Sequence, residues 1–64
     1  MRVNGNEIIL YGENTLKDFL EREGYDIMRV AVEKNGVIVP RSRFESELLD
    51  ADDRLEIIAF IGGG

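Results

Sequence analysis

The chain has 64 residues, 13 of them acidic and 8 basic, and a net charge of −5. This length is enough for one domain, which buries only about 60 % of its unfolded surface. The sequence has neither cysteine nor histidine, which excludes disulfides, a thiolate nucleophile and zinc sites of the usual kinds. The acidic balance argues against a nucleic-acid partner and an anionic membrane surface, and it suits a partner with a basic docking groove. Without a signal peptide or an apolar run of membrane-spanning length, we expect a soluble cytoplasmic protein.

Two β-signals flank a turn at the start of the chain. Residues 1–4 include apolar Met1 and Val3, and Asn4-Gly5-Asn6 accepts positive φ at low cost. Residues 8–11 follow with β-branched and aromatic side chains. The pattern predicts a hairpin.

One amphipathic helix is predicted next. Thr15 offers a hydroxyl cap, with an acid three residues later. Leu16, Phe19 and Leu20 recur at helical spacing and form one apolar stripe. Gly24 is a natural stop, so we expect a helix over residues 16–23 that packs its stripe on a sheet.

A second hairpin and a final strand complete the order of elements. Residues 30–32 and 37–39 are β-branched runs around Asn35-Gly36, the strongest short hairpin signal. Pro40 ends this hairpin. Residues 41–49 contain Ser42 and Glu45, which suit the caps of one short helical turn, and residues 50–53 form a polar turn. Residues 54–61 are predicted to form the last and most apolar strand.

The order ββ-α-ββ-β indicates an α+β fold, a mixed sheet with one main helix on one face. The last strand is most economically central and parallel to the first, through a long crossover. This is the ubiquitin-like β-grasp arrangement. We expect the domain to occupy residues 1–61 and a flexible glycine tail to occupy residues 62–64.

Alternation along the last strand predicts which side chains face out. Leu55, Ile57 and Ala59 are expected to face the helix, and Glu56, Ile58 and Phe60 the open side of the sheet. Exposed apolar residues rimmed by charge typically mark a docking site. The predicted docking residues are Ile58, Phe60, Ile61, Ile9 and Tyr11.

The terminal Gly62-Gly63-Gly64 is the other candidate site. Three glycines cannot pack a core, so they present one chemical group, the α-carboxylate of Gly64. That group is an anion at neutral pH, able to attack phosphorus and, once activated, to accept a nucleophile. The alternative is a frayed chain end without function.

No other cluster of residues indicates catalysis. Asp50, Asp52 and Asp53 lack the pattern of a calcium loop and are interpreted as a polar turn. Arg41 and Arg43 are interpreted as surface charge. We therefore expect a protein that is not an enzyme and has no metal site of its own.

Along its whole length the chain resembles the ThiS family of sulfur carriers of thiamine biosynthesis. The segments that carry the resemblance are Asn4-Gly5, Thr15-Leu16, Asn35-Gly36, Val39-Pro40-Arg41, Phe44, the acids Asp50 and Asp52, Glu56-Ile57-Ile58 and Phe60-Ile61-Gly62-Gly63-Gly64. The family requires a terminal Gly-Gly, which Gly63 and Gly64 supply.

The resemblance implies a sequence of reactions. An adenylating enzyme similar to the ubiquitin-activating type would use ATP and Mg²⁺, while this chain binds no cofactor. Gly62 and Gly63 would thread the partner's site, and a sulfur donor supplied by a cysteine desulfurase would convert Gly64 to a thiocarboxylate. Thiazole synthase would take the sulfur. Alternatives that stay open are a carrier for tRNA thiolation or molybdopterin, a ubiquitin-like protein modifier and a simple interaction domain.

Overall fold

One helix packs on a five-stranded mixed sheet. The computed structural model describes residues 1–12 and 14–60. The elements are β1 (Arg2–Val3), β2 (Asn6–Glu7), α1 (Leu16–Arg22), β3 (Val30–Lys34), β4 (Val37–Val39) and β5 (Arg54–Ala59). The strand order is β2-β1-β5-β3-β4, and β5 runs parallel to β1 and antiparallel to β3. The β-grasp prediction, with the last strand central and parallel to the first, is confirmed.

Both hairpins form on asparagine-glycine turns. Asn4 has φ 51° and Gly5 φ 85°, and Asn35 and Gly36 have φ 53° and 85°. Two successive left-handed residues make the turn whose twist matches a two-residue hairpin. The second hairpin prediction is therefore confirmed, and for the first hairpin the predicted turn is confirmed.

The second strand of the first hairpin lies earlier than predicted. β2 ends at Glu7, whereas the sequence predicted a strand over residues 8–11. Ile8 still donates its N–H to the carbonyl of Met1 at 2.8 Å. The next carbonyl, of Ile9, accepts instead from the Arg22 guanidinium of α1 at 3.1 Å. The chain therefore leaves the sheet here because the helix satisfies its backbone.

Helix α1 has the predicted start, stop and buried face. The Thr15 hydroxyl accepts from the N–H of Asp18 at 3.2 Å, which satisfies one free donor of the first turn. Gly24, with φ 83°, follows the last turn. Leu16, Phe19 and Leu20 are fully buried.

Two short 3₁₀ turns connect the elements. Ile27–Arg29, which the sequence analysis did not predict, is capped by the Asp26 carboxylate, which accepts from Met28 N–H at 2.9 Å. Arg41–Arg43 is the short turn predicted within residues 41–49. Pro40 rather than Ser42 holds its N-cap position, without a side-chain cap.

The core lies between α1 and the inner face of the sheet. Its buried apolar residues are Met1, Val3, Leu16, Phe19, Leu20, Val30, Val32, Val39, Phe44, Leu55 and Ile57. Ala59 pairs with buried Val30 and so shares the inner face of the sheet, as expected, but it is exposed. A seven-residue helix is about 10 Å long and a six-residue strand about 20 Å, so α1 covers only part of β5.

Candidate partner-docking face

The outer face of β5 presents apolar side chains to solvent. Ile58 is 59 % exposed and Phe60, directly after the strand, is 56 % exposed. Leu55 and Ile57, on the other face, are buried. The alternation predicted from the sequence therefore holds for these four residues. Strand β5 therefore contributes side chains both to the core and to an exposed apolar surface.

Cross-strand register extends this surface beyond β5. Ala31 of β3 lies opposite Ile58, and Glu33 lies opposite Glu56. On the far side of β3, Ile38 of β4 lies opposite Glu33. Residues that pair across strands share a face, so these five side chains and Phe60 define the surface that we call the open face.

Ile38 and Glu33 are members of the open face that the sequence analysis missed. Ile38 is 71 % exposed. The signal was present, because a two-residue Asn35-Gly36 loop fixes Lys34 opposite Val37 and hence Glu33 opposite Ile38. Only the pairing of β3 with β5, a long-range contact, places Glu33 beside Glu56 and Ile38 one strand further along the same row.

The charged residues on the outer side of the sheet lie in separate rows. Arg2 and Arg54 are neighbours across the parallel pair β1 and β5, at the end of β5 where the strand begins. The acids Glu33 and Glu56 follow, and Ile58 and Ala31 come after them. The apolar end of the face is therefore the end from which the chain continues toward its terminal glycines.

Hydrogen bonds hold the carboxyl-terminal half of β5 in place from two sides. On one side the Asn4 side chain accepts from Ile57 N–H at 2.7 Å and donates to the Ile57 carbonyl at 3.1 Å. On the other side Phe60 N–H donates to the Arg29 carbonyl at 2.7 Å. The backbone that carries Ile58 and Phe60 is thus fixed up to the last described residue.

Ile9 and Tyr11 lie beside the helix. They are 63 % and 76 % exposed. The Arg22 guanidinium carbon of α1 lies 5.1 Å from the Tyr11 ring centroid and 5.3 Å from that of Phe19. Because α1 covers the inner face of the sheet, the structure groups Ile9 and Tyr11 with the helix side and not with Ile58 and Phe60. Their role in docking remains a prediction.

The other predicted site residues lie outside the described part of the chain. Ile61 and the glycines Gly62, Gly63 and Gly64 are not among residues 1–12 and 14–60. The predicted tail and the boundary at residue 61 therefore stay predictions.

The acidic segment after residue 49 is a structural turn. Asp53 N–H donates to the Asp50 carbonyl at 3.0 Å, and the Asp53 carboxylate accepts from Asp50 N–H at 2.8 Å. The same carboxylate accepts from the Asn35 side chain at 2.9 Å. Among the described residues, no group of three or more acidic side chains is arranged to hold a metal ion.

Lys34 connects this turn to the segment of residues 47–48 through its ammonium group. Its ammonium lies 3.0 Å from a Glu47 carboxylate oxygen, 3.6 Å from one of Asp53, and donates to the Leu48 carbonyl at 2.7 Å. Burial lowers the pKa of Lys34, but the hydrogen bond that its ammonium donates to Glu47 and the charges of Asp53 and Glu47 outweigh burial, so the pKa lies above its ordinary value. The cluster is structural and lies away from the open face.

None of the helices among the described residues is long and apolar enough to cross a membrane. The described residues form a small β-grasp domain whose open face exposes apolar side chains. The family model described as the ThiS family matches residues 1–64, and the chain belongs to this family.

Solved structures of this family have the same fold. A crystal structure of the thiamine biosynthesis protein ThiS from Geobacter metallireducens superposes with a TM-score of 0.79 at 27 % identity, covering 98 % of this chain and 96 % of that one. A solution structure of a thiamine biosynthesis protein from the same organism gives a TM-score of 0.77 at 27 % identity, covering 98 % and 85 %.

Relatives known by sequence include much longer proteins. A thiazole synthase of Paramagnetospirillum magneticum is 42 % identical over 62 residues, which are 97 % of this chain and 19 % of that protein. A thiazole synthase of Magnetococcus marinus is 34 % identical over 64 residues, 20 % of its length. The chain thus spans about a fifth of these relatives. The uncharacterised protein ycf40 of Pyropia yezoensis is 33 % identical and matched over 90 % of its length.

Proposed function

We propose that this chain is a sulfur carrier of thiamine biosynthesis, a protein substrate whose terminal Gly64 is activated by one enzyme and delivers sulfur to another. The observation that carries the proposal is the position of the open face. Its apolar end, Ile58 and Phe60, lies directly before the glycine terminus in a chain that matches the ThiS family throughout.

The fold suits a protein that presents its terminal residues to a partner enzyme. The backbone is held through Phe60 by the Arg29 carbonyl, so a partner that binds the open face also receives a defined starting point for residues 61–64. Four residues reach at most about 14 Å when extended. Docking on Ile58 and Phe60 therefore limits where the Gly64 carboxylate meets the partner's active site.

The proposed chemistry takes place at the Gly64 carboxylate. Its oxygen attacks the α-phosphorus of ATP in the adenylating enzyme, and pyrophosphate leaves as the new phosphorus–oxygen bond forms. The outer sulfur of a persulfide then attacks the carbonyl carbon and AMP leaves, which gives an acyl disulfide. A thiol reduces this acyl disulfide to the thiocarboxylate and itself becomes part of a disulfide with the former persulfide thiol. ATP and Mg²⁺ belong to the partner's site. Glycine at positions 62, 63 and 64 fits a narrow channel because it has no side chain.

Thiazole synthase is the proposed acceptor of the sulfur. Two relatives with that name contain a segment similar to nearly all of this chain. A domain that occurs in the same polypeptide as an enzyme in some organisms is a good candidate to bind the separate enzyme in others. A cysteine desulfurase is the proposed origin of the sulfur.

ATP–pyrophosphate exchange by the adenylating enzyme of the same organism tests the first step. We expect exchange to depend on added wild-type chain and to fall strongly with Gly64→Ala, whose methyl group crowds the attacking carboxylate. Because the core is formed by residues between Met1 and Ile57, the melting temperature should stay the same. Equal exchange with and without the chain would refute the proposed activation.

A further inference from the structure

Two carboxylates face each other across the centre of the open face. Glu33 of β3 and Glu56 of β5 are directly opposed in the register. Opposed residues in antiparallel strands have Cβ atoms about 4.5–5.5 Å apart, and like charges there are destabilising. Among the ion pairs of the described residues, none includes either carboxylate.

Exposed apolar side chains surround this acidic pair. Ile38 lies beside Glu33 on one side, and Ile58 is the next outward-facing residue of β5 after Glu56. Both isoleucines are exposed. A partner that covers them must also cover the two carboxylates, and burying two like charges without a counter-charge is costly. Arg2 and Arg54 lie in the neighbouring row, at the start of β5, and in the part of the chain that the structure describes they form no ion pair with either carboxylate. An occupant that brings its own cation is therefore favoured.

We propose that an arginine of thiazole synthase binds between Glu33 and Glu56 while apolar side chains of the same enzyme pack on Ile38 and Ile58. An arginine fits because its planar guanidinium has five donors and can serve two carboxylates at once. This inference rests on the proposed function, from which it takes the identity of the partner, and it adds the chemistry by which the partner is recognised.

Binding of the separate thiazole synthase of the same organism, measured by calorimetric titration, tests the inference. The variant is Glu33→Gln with Glu56→Gln, which keeps the shape of both side chains and removes their charge. The matched control is Glu21→Gln with Asp52→Asn. These two acids are exposed and lie on the helix and in the 50–53 turn, away from the open face. The control removes two negative charges, as the open-face variant does, so the change in net charge is the same.

We expect the open-face variant to bind about tenfold more weakly or worse, and the control to stay within about twofold of wild type. The affinity of wild type should also fall more steeply with added salt than that of the open-face variant. The melting temperature supplies a second readout. Removing facing like charges should leave it unchanged or raise it, whereas loss of a structural contact would lower it.

Equal affinities of the open-face variant and the control would overturn the inference, and the proposed sulfur chemistry would be untouched. Thiocarboxylate formation without measurable binding to thiazole synthase would overturn it as well. Wild-type chain that sediments as a dimer, with a monomeric open-face variant, would show that a second copy occupies the face and would also refute it. Loss of ATP–pyrophosphate exchange with wild-type chain would instead refute the proposed function.

Discussion

The side chain of Asn4 binds both backbone groups of Ile57, in a strand 53 residues further along the chain. Its Oδ1 accepts from Ile57 N–H at 2.7 Å and its Nδ2 donates to the Ile57 carbonyl at 3.1 Å. Asn4 has φ 51°, so its own backbone turns away into the hairpin. The amide side chain thereby continues the β1–β5 ladder where the β1 backbone stops.

Asn4→Ala should lower the free energy of unfolding by about 2–3 kcal/mol. The variant loses two hydrogen bonds to a central strand. It also places alanine in the left-handed region, which alanine adopts at a higher cost than asparagine because it has no side-chain amide to form local hydrogen bonds. Asn4→Gly removes the backbone strain and should lose only about 1–2 kcal/mol. Urea unfolding measures both. Asn6→Ala is the control, since Asn6 is exposed in the edge strand β2, and a loss there as large as in Asn4→Ala would contradict this account.

Thr15→Ala should cost about 1 kcal/mol, because the hydroxyl that accepts from Asp18 N–H is the side-chain cap of α1. Thr15→Ser keeps that oxygen and should recover most of the loss. The comparison uses urea midpoints and slopes at neutral pH. If serine were no better than alanine, the hydroxyl would not be the stabilising group.

Lys34→Met should lower stability by about 1–2 kcal/mol at neutral pH, because the largely buried Asp53 carboxylate loses its cation and Glu47 keeps only Arg43 among the described cations. The raised pKa of Lys34 also determines whether the free energy of unfolding rises or falls with pH. Its contribution is complete below the unfolded value of about 10.4 and is lost as pH rises through the higher folded pKa. Wild-type stability should therefore fall more steeply above that pH than the stability of Lys34→Met.

Lys17→Met provides the comparison for this alkaline effect. The hydrogen bond with Glu45 raises the pKa of Lys17 too, but that pair is exposed and contributes little to stability. We expect Lys17→Met to retain most of the wild-type alkaline slope. If the stability of Lys17→Met did not fall at alkaline pH while that of Lys34→Met fell as in wild type, Lys17 rather than Lys34 would be the source of the alkaline loss of stability.

Local signals in the sequence predicted much of this fold. Asn35-Gly36 fixes a hairpin through its own backbone preferences, and Thr15 and Gly24 bound the helix within one residue. Tertiary contacts decided the rest. Ile9 looks like a strand residue, yet its carbonyl is bound by Arg22 of the helix, and no pattern of apolar residues encodes that hydrogen bond.

The candidate docking face was predictable only along single strands. Alternation placed Ile58 and Phe60 outward correctly. The neighbours Glu33 and Ile38 required the pairing of β3 with β5, which joins residues far apart in sequence. Ala59 shows the limit of alternation, since a residue with the inward phase stays exposed where the short helix does not reach.

Ile58→Glu and Phe60→Ala should weaken binding to the adenylating enzyme by about tenfold or more, since both residues are exposed next to the terminal segment. Their effect on the free energy of unfolding should stay below about 1 kcal/mol. Val37→Ala is the control, because Val37 is also exposed but shares a face with Lys34 and Leu55. A large drop in melting temperature for Ile58→Glu would mean that the side chain stabilises the fold.

The central claim is that Gly64 carries sulfur, and the intact mass of the chain tests it most directly. The chain is incubated with its adenylating enzyme, ATP and a sulfur donor, beside a reaction without ATP. We predict a mass gain equal to the replacement of one oxygen by one sulfur, located on Gly64 by fragmentation and absent without ATP. An unchanged mass with an active enzyme and donor, or adducts joined through Gly64 to lysines of other proteins, would contradict the account.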